Sequence, residues 1–482
     1  MSIFRNHFPL MGAAGQSTGY EINQSIRFDQ DNNASLQRTP SSAGNRRNWT
    51  FSVWFKQSLY STNGYHNIFC VSNDSNNFYE MAIRRNSTFA SDGTGHNLQI
   101  NNKVGGTNNY FHKTDMAFTD PTAWYHLVAV ADTPNQIPNE RMRLYVNGVR
   151  ITSFETNTIP AEDYETWVNS TNNTMIGNFP GGSGYAFDGY MAEIHLVDGY
   201  SYGPEYFGEF KEDTDIWIPK KYTGSHGTNG FYITGENINV PGENKATGNT
   251  YASFANTAYQ THDQTLDSPT NNFAVFNPLL LNTSAQIARN ATFKNGMLQL
   301  DNTTTTADFC GTTIFGPNAF KGYAEFYVTH SGSGIFGSSA DNRIMILDDE
   351  AMINSTTWYS IYYSNGNIAT SGESTLNETA WAKGDVIGVA VDMANNIKWY
   401  RNGTLEGTAD VGGSYQSLGY MFNIRIKQDS SKNPTIIANF GQEGTFAGNI
   451  TAGGNSDGNG IGNFKYSVPS GYLAMCTKNV GV

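Results

Sequence analysis

Cysteine is scarce: three in 482 residues (Cys70, Cys310, Cys476), odd in number and far apart. That spacing supports neither a disulfide framework nor a Cys-x-x-Cys metal site, and a reducing site of folding is expected. Charge is also sparse, at 15% of residues, with 29 basic against 42 acidic side chains and a net charge of −13. No basic patch or stripe appears, which argues against nucleic acid as a partner. No apolar run reaches the ~18 residues of a membrane-spanning helix, so no membrane insertion is expected. Met1-Ser2-Ile3-Phe4-Arg5-Asn6-His7 lacks the apolar core of a signal peptide. The chain is therefore expected to be made in a cytosol and not secreted by a signal peptide. The nine histidines form neither His-Glu-x-x-His nor His-x-x-x-His, and no zinc site is expected.

What is abundant is turn and strand material. There are 50 glycines, 27 tyrosines and 29 phenylalanines, a composition of short strands joined by polar turns rather than of helices or disorder. Leu144-Tyr145-Val146-Asn147-Gly148 and Lys398-Trp399-Tyr400-Arg401-Asn402-Gly403 both run a strand pattern into Asn-Gly, a hairpin signal. Period-2 segments include Ser25–Asp29, Trp49–Phe55, Asn67–Val71, Phe78–Ile83, Leu98–Ile100, Trp124–Val130, Thr174–Gly177 and Phe187–Leu196. A second series covers Met297–Leu300, Tyr323–Val328, Tyr359–Tyr363, Val386–Asp392, Phe422–Ile426 and Thr435–Gly441. The expectation is an all-β chain of two antiparallel β-sandwich (jelly-roll) domains in tandem. Its parts are an N-terminal arm (1–24), a first sandwich (25–210), a Gly/Asn/Thr-rich connector (211–285) and a second sandwich (286–482).

Phe51-Ser52-Val53-Trp54-Phe55, Trp124-Tyr125-His126, Leu144–Gly148 and Phe187–Ile194 resemble, in order and spacing, laminin-G-like members of the concanavalin A-like superfamily. Gly384-Asp385-Val386-Ile387-Gly388, with Gly322-Tyr323-Ala324-Glu325-Phe326 before it, resembles a SPRY domain lacking its usual tryptophan in the first motif. Met11–Gly15, Asp267–Phe273, Asn439–Gln442 and Val468–Leu473 together resemble virion proteins of tailed bacteriophages, especially marine ones. That resemblance implies a non-enzymatic virion surface protein (tail fibre, tail tip, head fibre or decoration). Host attachment would proceed through a cell-surface glycan or protein. The N-terminal arm would hold other virion proteins, in a homo-oligomer expected to be a trimer. The alternatives are a structural cementing protein and a polysaccharide depolymerase.

Chemistry is thinly signalled. Glycoside hydrolysis needs two carboxylates flanking one bond, and no alternating Glu-x-Asp-x-x-Glu pattern occurs; Asp188 and Glu193 are spaced for opposite faces. Gly199-Tyr200-Ser201-Tyr202-Gly203 matches a nucleophile elbow but lacks the crossover helices that context requires. No catalytic residue and no metal site are expected. Calcium is the one cofactor a laminin-G-like fold admits, through Asp92, Asp115 or Asp188, with Gly453–Gly460 a flexible loop that only partly matches a calcium repeat. The ligand-binding candidates are aromatics read as lying in polar loops: Tyr60, Tyr65 and His66, then Tyr110, Phe111 and His112, and Tyr185. Of these, Tyr65, His66, Tyr110, His112 and Tyr185 form the expected site.

Overall fold

The computed structural model describes residues 19–58, 64–85, 96–180, 184–246, 253–277, 291–305, 308–314, 316–331, 342–347, 358–370, 373–411, 419–428 and 432–481. The chain is all-β and divides into two compact units, the boundary falling between Thr270 and Asn271.

Among the described residues, the first unit holds two large antiparallel sheets and a small one. Sheet A runs β10 (Val149–Arg150), β9 (Met142–Val146), β8 (Tyr125–Asp132), β3 (Asn48–Gln57), β13 (Gly189–Asp198), β1 (Ser25–Phe28) and β18 (Gln264–Thr265), with β16 (Phe231–Ile233) also paired to β13. Sheet B runs β11 (Phe154–Thr158), β7 (Thr107–Ala117), β6 (Asn97–Val104), β5 (Asn77–Arg85), β4 (Gly64–Asp74), β12 (Asn173–Ile176), β2 (Ser35–Arg38) and β17 (Ala255–Thr257). The small sheet is β14 (Gly208–Phe210) with β15 (Trp217–Pro219).

Alternation along β3 turns Trp49, Phe51, Val53 and Phe55 inward, where Phe51 stacks on Phe69 of β4 at 4.5 Å and Trp49 meets Tyr79 of β5 edge-on at 5.5 Å. Full burial of each such aromatic contributes ~1.5–3 kcal/mol, and this shared core holds the two sheets face to face.

The second unit repeats the plan. One sheet runs β19 (Phe276–Asn277), β22 (Asp308–Thr312), β31 (Met421–Ile426), β24 (Arg343–Leu347), β25 (Trp358–Tyr363), β26 (Asn367–Thr370) and β27 (Glu373–Asn377). The other runs β20 (Ala291–Lys294), β21 (Gln299–Asn302), β32 (Pro434–Asn439), β23 (Gly322–His330), β28 (Val386–Asp392), β29 (Asn396–Arg401) and β30 (Thr404–Asp410), with β33 (Leu473–Ala474) parallel to β23. Trp399 is fully buried, 5.7 Å from Tyr362 of the facing sheet, and its indole N–H donates to Ser360 Oγ at 2.8 Å.

Both Asn-Gly corners form with positive φ at both residues (Asn147 48°, Gly148 78°; Asn402 50°, Gly403 80°). Each asparagine also clamps the neighbouring strand. Asn147 donates its backbone N–H to His126 O and accepts from His126 N–H at Oδ1; Asn402 does the same with Val386.

The expected domain limits need correction. Residues 211–270 are no connector: β16 and β18 extend sheet A, and β17 extends sheet B. Residues 20–24, assigned to the arm, pack instead on sheet A, where Ile22 is buried with Trp54 and Ala192. The physical reason is that the outward side chains of β3 and β13 are themselves largely apolar or paired and need a cover. Arg27 makes a buried ion pair with Asp263 at 3.0 Å and Lys56 another with Asp267 at 2.8 Å, both joining the unit's late residues to its earliest strands. Residues 1–18, 247–252 and 278–285, also part of those assignments, lie outside the described residues.

Two outcomes follow. A fragment of residues 19–270 should melt cooperatively by circular dichroism, whereas one ending at 210 should aggregate or lack a transition. Asp263→Ala should lower stability by about 3–5 kcal/mol in a denaturant titration, because it strands the Arg27 charge in the interior.

Candidate functional site

Two polar clusters stand on the outer faces of the first unit, one on each large sheet. On sheet A, a register shift between Ala192 and His195 leaves Glu193 in the left-handed region (φ 48°). Its carboxylate accepts from Tyr20 Oη at 2.9 Å and Tyr232 Oη at 2.8 Å and lies 3.5 Å from His195 Nε2. His195 stacks on Tyr232 at 4.3 Å and reaches His226 Nε2 through Nδ1 at 3.1 Å.

Beside them Ser52 Oγ is 2.8 Å from His126 Nε2, a spacing suggestive of a nucleophile and its base. The other ring nitrogen decides otherwise. Trp217 Nε1–H donates to His126 Nδ1 at 2.9 Å, and an indole can only donate. Nδ1 is therefore the bare nitrogen, the proton sits on Nε2, and His126 donates to Ser52 instead of accepting from it. Burial holds His126 and His226 down to about 3, so both are neutral. The crevice between Tyr20, Trp54, Glu193 and Phe207 has no room for a water-sized molecule. This cluster locks residues 20–24 and 217–232 onto sheet A.

The elbow-like Ser201 is likewise committed: its hydroxyl donates to Ala131 O at 2.5 Å and accepts from Asn48 Nδ2 at 3.1 Å. After it comes a short 3-10 turn, Pro204–Tyr206, and then β14.

Sheet B carries the more suggestive face. Tyr79, Met81 and Ile83 turn inward on β5, which sends Phe78, Glu80, Ala82 and Arg84 outward. Register then aligns Asn67, Ala82 and Gln99 in one row and Cys70, Glu80 and Asn101 in the next. Directly opposed residues share a face. Glu80, Asn67, Gln99 and Asn101 are all at least nine-tenths buried, yet Asn67 Oδ1, Gln99 Nε2 and Asn101 Oδ1 have no hydrogen-bond partner. Each such atom costs ~1–3 kcal/mol, a penalty that a bound polar group would relieve. Burial pushes the Glu80 carboxyl up to about 7, with Lys103 and a hydrogen bond from Asn101 opposing the rise.

The edge of this face is aromatic. Asn67 donates its backbone N–H to Tyr185 O at 3.0 Å, drawing Tyr185 to the edge of this face. Tyr185 then stacks on Tyr65 at 5.7 Å with rings 10° apart, and Phe179 bridges Tyr185 and Phe78.

Of the five expected ligand residues the structure brings together two, Tyr65 and Tyr185, both partly buried. Tyr110 and His112 are not in a loop: they lie in β7, face inward and are buried, Tyr110 against Tyr79 and His112 against Phe154. His66 is buried too, its ring edge-on to Phe187 at 5.8 Å. These three are core residues, corrected by the pairing of β6 with β7 through Gly105-Gly106 and by the strand character of 64–74. Tyr60 lies outside the described residues.

Glu80, Gln99 and Asn101 were missed, although Glu80 and Gln99 are polar residues alternating with apolar ones inside recognised strands; Asn101 falls just past the expected end of its strand at Ile100. Asp188 accepts from Ser58 at 2.5 Å and Asp115 from Ser153, while Asp92 lies outside the described residues. Among the described residues no three His, Cys, Asp or Glu converge as a metal site would require. Asp457, in the loop expected to be flexible, is engaged by Ile461 and Ala474 N–H groups and by Asn479 Nδ2.

Residues 28–200 match a laminin-G model of the concanavalin A-like lectin/glucanases superfamily. The match falls within the first unit and covers both outer faces, leaving 201–270 as additional cover.

Among solved structures the chain is similar to the SPRY domain of human HERC1, 14% identical, over 34% of this chain and 96% of that one, with a TM-score of 0.26. It is similar to mouse laminin α1 domains LG4-5, 9% identical, over 89% and 85%, TM-score 0.27. It is also similar to the Ruminococcus gnavus IT-sialidase CBM40 bound to α2,3-sialyllactose, 15% identical, over 37% and 91%, TM-score 0.23. At such identities and TM-scores no ligand or activity carries across from them. No curated protein sequence matches the chain.

The buried histidines generate a pH dependence. Burial lowers His112 to about 4 and His126 and His226 to about 3, from an ordinary 6.5. The unfolded chain binds protons that the native unit refuses, so their contribution is whole above pH 6.5 and is lost as pH falls from there toward 3. Glu80, raised from 4.5 to about 7, works the other way, favouring the native state below 4.5 and losing that contribution as pH rises through about 7. Three groups outweigh one, so the melting temperature of the 19–270 fragment should drop as pH falls below about 6.5, and His226→Gln should flatten the drop.

Proposed function

We propose that this chain is a non-catalytic glycan-binding protein that serves in attachment to a cell surface. The carrying observation is the outer face of sheet B: buried amide atoms without partners beside the stacked Tyr65–Tyr185 pair, on a concanavalin A-like sandwich. Amides and a carboxyl that bond hydroxyls, next to tyrosine rings that cover a sugar's apolar face, are the two halves of carbohydrate recognition.

Binding is favoured over hydrolysis by the same register. A glycosidase sets two carboxyl groups ~5–9.5 Å apart. The positions aligned with or flanking Glu80 among the described residues are Cys70, Ala82, Gln99, Asn101 and Phe78, none of them acidic.

The setting of that attachment, the surface of a tailed-phage virion, is supported by the sequence phrases that resemble such proteins. So are the trimer and the anchoring to other virion proteins by the part of the expected arm that precedes Tyr20.

The full-length protein should co-sediment with purified surface polysaccharide of its host and release no reducing ends on prolonged incubation. Reducing-end release would replace this reading with a depolymerase, and failure to bind any glycan would favour a cementing role. Mass spectrometry of purified particles should recover the chain; its absence there would remove the virion setting while leaving glycan binding intact.

A further inference from the structure

The unpartnered atoms on sheet B define more than a polar floor, because they include both acceptors and a donor. Asn67 gives its Nδ2 to Tyr185 O at 3.4 Å, which leaves Oδ1 as the atom presented. Asn101, directly opposite Glu80 across the strand pair, likewise presents Oδ1. Gln99 presents Nε2. The face thus offers two bare acceptors and one bare donor, with the Glu80 carboxyl between them.

A hydroxyl group both donates and accepts, so neighbouring hydroxyls of a sugar ring can meet all three atoms; so can an acetamido group, with its N–H and C=O. A carboxylate or sulfate only accepts. It would leave both asparagine oxygens unmet and would stand against Glu80.

Two of the cations described on this face are already engaged. Lys113 pairs with Glu155, and Lys103 lies over the Phe78 ring at 5.1 Å beside Glu80. Arg84, opposite Tyr65, is exposed and stands at the rim.

We propose that this face takes an uncharged, polyhydroxylated glycan and turns away glycans bearing carboxylate or sulfate groups, an inference that rests on the glycan-binding reading above.

Isothermal titration of the full chain against neutral oligosaccharides (cello-, malto- and N-acetylglucosamine oligomers) and acidic ones (oligogalacturonate, sialyllactose, dextran sulfate fragments) tests it. Binding is expected in the neutral series and not in the acidic one. Gln99→Ala should weaken neutral binding about fivefold to tenfold, the effect of one lost hydrogen bond. Gln99→Glu, which keeps the size and replaces the donor with an acceptor, should weaken it at least as much, and Arg84→Ala should leave it unchanged.

Binding confined to the acidic series, or equal in both, overturns the selectivity while glycan binding stands; loss of acidic binding in Arg84→Ala would then place the contact at the rim. No binding in either series overturns the glycan reading itself. Unchanged neutral affinity in both Gln99 variants, with melting temperatures like the parent's, moves the contact off this face and overturns the proposal.

Discussion

Two buried acids hold the first unit closed. Asp263 and Asp267 lie four residues apart near its end, and each meets a buried cation from one of its earliest strands, Arg27 and Lys56. Asp267 also accepts from Trp124 Nε1 at 3.1 Å, and its backbone oxygen accepts from Ser25 Oγ at 2.6 Å. Charges withdrawn from water this completely are tolerated only in pairs, so neither end of the unit can leave without stranding a charge in the interior. The strand pairing of 264–265 with 25–26 and the cover over sheet A both depend on this closure.

The two outer faces of the same sandwich then take different roles. Sheet A presents histidines, a serine and a carboxylate that look like chemistry until the hydrogen-bond directions are followed. The indole of Trp217 fixes the tautomer of His126, and Tyr20 with Tyr232 occupies Glu193. Its polar atoms largely answer one another. Sheet B leaves three buried amide atoms unanswered on its outer face, and that is the observation on which the glycan-binding proposal stands.

The second unit shows how such networks stay structural. Glu325 is fully buried and burial pushes it up to about 7, yet it accepts from the Lys465 and Tyr466 N–H groups and from Tyr323 Oη. Its carboxyl anchors the returning loop to β23. The Asn-Gly corner is shared by both units for a reason that does not require common ancestry. An asparagine at positive φ can turn its side chain back onto the adjacent strand, closing a two-bond clamp at the point where the hairpin leaves the sheet.

By itself, the sequence determined the fold class, most of the long strands and the two corners. All rest on local rules: alternation of two, β-branched and aromatic residues, and turn residues that tolerate positive φ. The strand through Tyr110 and His112 escaped because its polar neighbours Asn108, Asn109, Lys113 and Asp115 read as loop, whereas in the sheet they occupy the solvent side and the rim. The domain limit escaped because the 211–270 segment is weakly patterned; it is held by pairs more than 200 residues apart in the chain, such as Arg27–Asp263. The candidate site was half legible. Tyr65 and Tyr185 could be named as aromatics among polar residues, but their stacking, and the meeting of Asn67, Glu80, Gln99 and Asn101, depend on register across three strands. Register is a property of the assembled sheet, and only the tertiary structure decided it.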